Sequence, residues 1–93
     1  MRRLSLQIAL VLSTFFVAGT AFAGPECTKE PQSKWKSEEQ MKEHIASLGY
    51  KIKLFKISGN CYEIYGWTKA GAKAEIYFNP VTAAIVKSKI EGQ

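Results

Sequence analysis

The sequence predicts an α+β domain: one helix packed on a four-stranded antiparallel meander sheet, with an N-terminal arm tied by a disulfide. Three observations carry that prediction. A capped amphipathic stretch precedes Gly49, the apolar period then falls from that of a helix to two, and the two cysteines of the chain flank the helix.

Ser37 is a good N-cap, and Gln40 stands three residues later as its capping-box partner. Glu38 and Glu39 fall in the first turn, where the helix dipole favours negative charge. Met41, Ile45 and Leu48 recur at i, i+4 and i+7 as one apolar stripe, and Gly49 supplies a left-handed stop. The helix is expected over about Ser37 to Leu48.

From Tyr50 the pattern alternates. "YKIKLFKI", "CYEIYGWT", "AKAEIYF" and "AIVKSKI" are four strands, separated by Ser58-Gly59-Asn60, Lys69-Ala70-Gly71 and the Pro-containing "NPVTA". Short connections make neighbouring strands antiparallel. Pairing Ile64 with Ile76 and Tyr62 with Phe78 assembles one apolar face, and Glu63, Tyr65, Trp67, Lys73, Glu75 and Tyr77 take the other. Strand one has two registers. A two-residue Gly59-Asn60 turn sends Phe55 and Ile57 to the core, whereas a three-residue turn sends Ile52 and Leu54, since a slip of one flips every side chain.

Residues 1–23 read as a secretory signal peptide, with Arg2 and Arg3 at its start, an uncharged run from Leu4, and Ala21-Phe22-Ala23 before a cleavage expected after Ala23. Residues 24–36, with Pro25 and Pro31, are expected as an extended arm, and 37–93 as the domain proper. The expected location is the periplasm, without a stable membrane anchor after cleavage. The formal charge of +5 includes both arginines of the leader, so the mature chain carries +3, all its cations lysine and all its anions glutamate. Nucleic-acid binding is set aside, because no arginine-bearing basic cluster stands in the sequence.

A domain this small obtains only a few kcal/mol from packing and commonly needs a cross-link. Cys27 and Cys61, both in the exported part, are therefore expected to pair as a tether rather than serve as nucleophile or ligand. The rest of the sequence offers little chemistry. His44 is the only histidine, beside the helix stripe, where a boundary residue is the ordinary role. Cys27, Cys61 and His44 fit no zinc spacing, and no haem-attachment motif or phosphate loop is present. No enzyme, metal or cofactor is expected.

Binding remains. Trp35, Phe55, Tyr65, Trp67 and Tyr77 exceed what a small core requires and are candidate anchors for a protein partner. The competing account folds the arm back over the open face, carrying Trp35 and Cys27 toward Cys61. A second copy of the chain, paired through the open sheet face, is one candidate occupant.

At "LGYKIKLFKISGNCYEIYGWTKAGAKAEIYFNPVTAAIV", residues 48 to 86, the chain resembles a PepSY domain, specifically the small exported bacterial proteins made of one such domain. Shared features are the early Cys, a Trp before the helix and a helix ending in Gly-Tyr. A "GCYEVYA"-like strand runs from Gly59 to Trp67 with Asn60 inserted, and a "VEVYFDPVTGEVV"-like ending from Ala74 to Val86. Asn79 replaces an acidic residue and Ala83 the usual turn glycine. The resemblance brings no catalytic residues. Its kinship with propeptides of thermolysin-like metalloproteases implies an inhibitory or regulatory binding module. Kinship with domains that accompany membrane cytochromes and sensors implies the alternative, a small-ligand or haem-binding module linked to a membrane redox protein.

Overall fold

The structure is a computed structural model and describes residues 24–93; the signal peptide expected over residues 1–23 lies outside the described residues. Helix α1 (Glu38–Ser47) starts where the sequence places its cap. Ser37 Oγ accepts from the Gln40 backbone N–H at 3.1 Å, and Gln40 Oε1 accepts from the Ser37 N–H at 2.9 Å. Both halves of the box thus satisfy amides that the first turn leaves without partners. Met41 and Ile45 are fully buried against the sheet. Leu48 departs from the expected stripe: it is the C-cap and is 46% exposed. Gly49, at φ 97°, turns the chain there, so Leu48 follows the exit rather than the buried face.

The strands β1 (Lys51–Ser58), β2 (Cys61–Trp67), β3 (Lys73–Phe78) and β4 (Ile85–Ile90) form one antiparallel sheet in sequence order. Ile64 pairs with Ile76 and Tyr62 with Phe78, as expected, and these four meet Met41, Ile45, Ala74 and Ala83 in the core. The β1–β2 connection is the two-residue turn, with Ser58 opposite Cys61 and Gly59 at φ 60°. That register sends Phe55 to the helix side opposite Ile64. Ile52 nevertheless reaches the same side, opposite Gly66, because the pairing shifts between Ile52 and Leu54. The extra residue, Lys53, is a bulge that flips the parity of β1 once. Both expected registers are therefore half true, one on each side of the bulge.

The arm is less extended than expected. A 3-10 turn (Gln32–Lys34) sits between Pro31 and Trp35. The arm straddles the end of the sheet. Cys27 is bonded to Cys61, with Cα atoms 5.2 Å apart, while Trp35 crosses to the helix side and meets the Tyr62 ring edge-on at 5.3 Å. Tyr62 Oη donates to the Lys36 carbonyl at 2.7 Å, and the Lys36 N–H donates to the Pro80 carbonyl.

Both departures from the PepSY-like pattern at asparagine converge on Cys27. Its N–H donates to Asn60 Oδ1 at 2.7 Å, and its carbonyl accepts from Asn79 Nδ2 at 2.9 Å. A carboxylate in place of Asn79 has no N–H for that second bond. Asn79 Oδ1 still shapes the β3–β4 turn by accepting from Val81 and Thr82. The other departure, Ala83, holds the left-handed backbone a glycine would take, at φ 71°. That conformation costs alanine about 1–2 kcal/mol. Burial of its methyl returns about 0.8 kcal/mol, and the smaller unfolded-state entropy about 0.4–1 kcal/mol more. The turn thus keeps its shape without its glycine.

Candidate functional site

The helix covers one side of the sheet. On the other, alternation places Cys61, Glu63, Tyr65 and Trp67 of β2 beside Tyr77, Glu75 and Lys73 of β3. Lys51, Leu54 and Lys56 of β1, and Lys87 and Lys89 of β4, flank them. The bulge at Lys53 is what brings Lys51 and Lys56 to the same side despite their odd spacing. The arm reaches only the Cys61 end of this face. Among the described residues, no helix or strand lies over the remainder.

Three of the five candidate anchors come together here: Tyr65, Trp67 and Tyr77. Tyr65 is 37% exposed and Leu54, its partner across β1, 49%. Trp67 is half-buried in a shallow groove that it shares with Lys53, Tyr65 and Lys73. The other two candidates lie on the opposite side. Phe55 packs on Tyr62 with ring centroids 4.9 Å apart, and Trp35 contacts the same tyrosine. Both serve the margin of the core there.

At the centre of the face sits a feature that alternation does not predict. Glu63 is only 2% exposed, its Oε2 is buried without a hydrogen-bond partner, and Lys56 Nζ stands 3.9 Å from Oε1. Glu75 lies diagonally across the β2–β3 pair, since Glu63 is opposite Tyr77 and Tyr65 opposite Glu75. Tyr65 and Tyr77 both donate their hydroxyls to Glu75 Oε2, at 3.2 and 3.1 Å. Burial, and next the neighbouring Glu75 carboxyl, hold the Glu63 carboxyl above the ordinary value near 4.5. The Glu63 carboxyl and the two tyrosine hydroxyls draw Glu75 below it. Of the two neighbouring carboxyls, Glu63 is the one whose neutral form its surroundings favour. The charge of Glu63 and its own burial push Tyr65 up to about 12, and burial followed by the Glu75 bond raises Tyr77 as well.

The pair makes stability depend on pH in a defined way. A carboxyl raised in the native state favours folding below its unfolded value and loses that contribution as pH climbs toward its folded one. A depressed carboxyl does the reverse, losing its contribution as pH falls below 4.5. Glu63→Gln keeps the size and shape of the side chain without a proton to lose. Its melting temperature should therefore rise relative to the parent as pH goes from 4.5 to 8. Paired thermal melts across that range test this, and parallel curves would mean that its surroundings do not raise the Glu63 carboxyl.

His44 is half-buried on α1 and Met41 fully buried beneath it. Among the described residues, no group of three or more His, Cys, Asp or Glu assembles in metal-binding proximity, and no helix is long and apolar enough to cross a membrane. Sequence reasoning placed Glu63 and Glu75 on this face but not their pairing. The signal for it was two glutamates that fall on diagonal positions once the β2–β3 register is set.

No curated protein and no solved structure matches the chain. The profile of the family described as "Peptidase propeptide and YPEB domain" (PepSY_2) matches residues 7–89, which include the helix, the first three strands, all but the last residue of β4 and the Cys27–Cys61 tether. The chain belongs to the PepSY family.

Proposed function

We propose that this chain is an exported, non-enzymatic module that docks a partner protein through the helix-free sheet face and regulates or inhibits it. Tyr65, Trp67 and Tyr77 are the anchors. The observation that carries this reading is the aromatic group itself: three large rings stand on a face that no element among the described residues covers. Aromatic side chains lose little conformational entropy on docking and dominate interface energetics. Family membership supports the regulatory part, since the family is described by peptidase propeptides. The disulfide supports export, because such bonds persist in oxidising compartments.

The test is capture from periplasmic and membrane extracts by tagged protein, quantified by mass spectrometry for the parent and Trp67→Ala. An anchor is worth about 2 kcal/mol or more, so the variant should retain its partner about 30-fold less well. Its melting temperature should move by less than about 5 °C. Equal capture by both proteins sinks the docking face, and a large melting loss moves Trp67 into the core. The inhibitory part has its own assay, titration of the purified protein into a thermolysin-type metallopeptidase, where no dose-dependent loss of activity removes it.

A further inference from the structure

The chemistry of the partner follows from where the charges sit. Every lysine of the sheet is on or beside the open face: Lys51, Lys53 and Lys56 on β1, Lys73 on β3, Lys87 and Lys89 on β4. The acids on that side are Glu63, which is almost fully buried, Glu75, which accepts from two tyrosine hydroxyls, and Glu91 just past β4, three against six lysines. The opposite side carries Glu38, Glu39 and Glu43 on α1 against Lys42. A mild net charge therefore hides a strong segregation, basic toward the open face and acidic toward the helix. The lysines of β1 and β4 form two columns separated by three inter-strand spacings, about 14 Å. An α-helix with its side chains is about 10–12 Å wide. Between the columns lie the exposed ring of Tyr65 and the half-buried rings of Trp67 and Tyr77.

We infer that the element seated on this face is an acidic amphipathic helix of the partner protein. Its apolar stripe lies on the three rings, and its carboxylates lie against the two lysine columns. This rests on the docking reading above and adds the partner's chemistry to it. The sheet already holds one helix on its other side, so the arrangement repeats a packing the fold uses. Face-to-face pairing of two copies opposes lysine columns to lysine columns, which disfavours the second copy as occupant.

The probe is a synthetic helix of about 20 residues with a leucine stripe flanked by glutamates, compared with the same peptide carrying lysines instead. Calorimetric titration into the mature protein should show the acidic peptide binding at least about tenfold more tightly. That advantage should shrink about tenfold between roughly 0.05 and 0.3 M NaCl. The double substitution Lys53→Glu with Lys87→Glu reverses one charge in each column. Neither residue contacts the glutamate pair, so circular dichroism should show an unchanged fold while the preference for the acidic peptide disappears.

Equal binding of the two peptides, binding of neither, or a preference untouched by the double reversal overturns the inference. So does saturable binding to anionic phosphatidylglycerol vesicles without peptide binding, which gives the face to a membrane surface. Concentration-dependent dimers in sedimentation, blocked by the double reversal, give it to a second copy and overturn the inference too. Trp67→Ala separates the two levels of the argument. Charge preference that survives with no loss of affinity in this variant defeats the docking reading, whereas affinity that depends on Trp67 but not on charge defeats only the acidic helix.

Discussion

Replacing Cys27 and Cys61 together by alanine is expected to lower unfolding stability by about 3.5–4 kcal/mol. The pair closes a loop with a sequence separation of 34, and the chain-entropy relation for a loop of that length gives this figure. A domain of this size has a total stability of only about 4–10 kcal/mol, so the loss is a large part of the whole. The mechanism acts mainly through the unfolded chain, but the native state adds to it. Cys27 is held on three sides, by Cys61, Asn60 and Asn79, and both asparagine bonds tie the arm to turns far along the chain. With the covalent link gone, ordering the arm must be offset by those bonds, the Trp35–Tyr62 contact and the Lys36 ties alone. Urea unfolding of the parent and the double variant measures the difference directly. A loss under about 1 kcal/mol would mean that the polar ties hold the arm by themselves. Alkylation of the undenatured, unreduced protein gives a second check, since a formed bond leaves no thiol to label.

The parts of this fold that were legible in the sequence are those where one physical rule acts alone. The capping box at Ser37 and Gln40 sets the helix start because both partners are adjacent in sequence. The β2–β3 register follows from two strands whose apolar residues alternate without a break. Where two rules compete, the sequence was ambiguous. Strand β1 carries apolar residues in both phases, Ile52 with Leu54 and Phe55 with Ile57, and only a bulge places Ile52 and Phe55 together. The lysines hold the same information: Lys51 and Lys53 share one parity and Lys56 the other. Depth was the second blind spot. Alternation places Glu63 on the open face, yet it is buried among neighbours on two other strands, which no local pattern encodes. The same limit applies to Trp35 and Phe55, whose aromatic character suggested anchors but whose position is set by Tyr62 on the helix side. Composition also concealed the charge segregation, since interspersed signs along the chain become separated faces once the strands pair.

Substituting Gly66→Ala is expected to cost about 3 kcal/mol or more, the upper end of what overpacking does. Gly66 lies opposite Ile52, next to the shift in pairing, and the strands approach closely there. A Cβ on Gly66 would stand 1.9 Å from the Lys51 carbonyl oxygen, 3.0 Å from its carbon and 3.2 Å from Ile52 Cα. All three are backbone atoms, so no side chain can swing aside; the strands must part. Parting them breaks the ladder at the start of β1 and withdraws Ile52 from the margin of the buried core, against which it packs. The damage should be local first. Hydrogen exchange should speed up at the Lys51–Ile52 and Gly66–Trp67 amides before the Ile64–Ile76 centre is affected. It also bears on the candidate site, because Trp67 is the next residue and Lys51 its partner across the strands. Denaturant melts and exchange on the same sample test both statements. A cost below about 1 kcal/mol with unchanged exchange would show that the bulge relaxes freely, and then neither the lysine register of β1 nor the position of Trp67 would be fixed by the contact at Gly66.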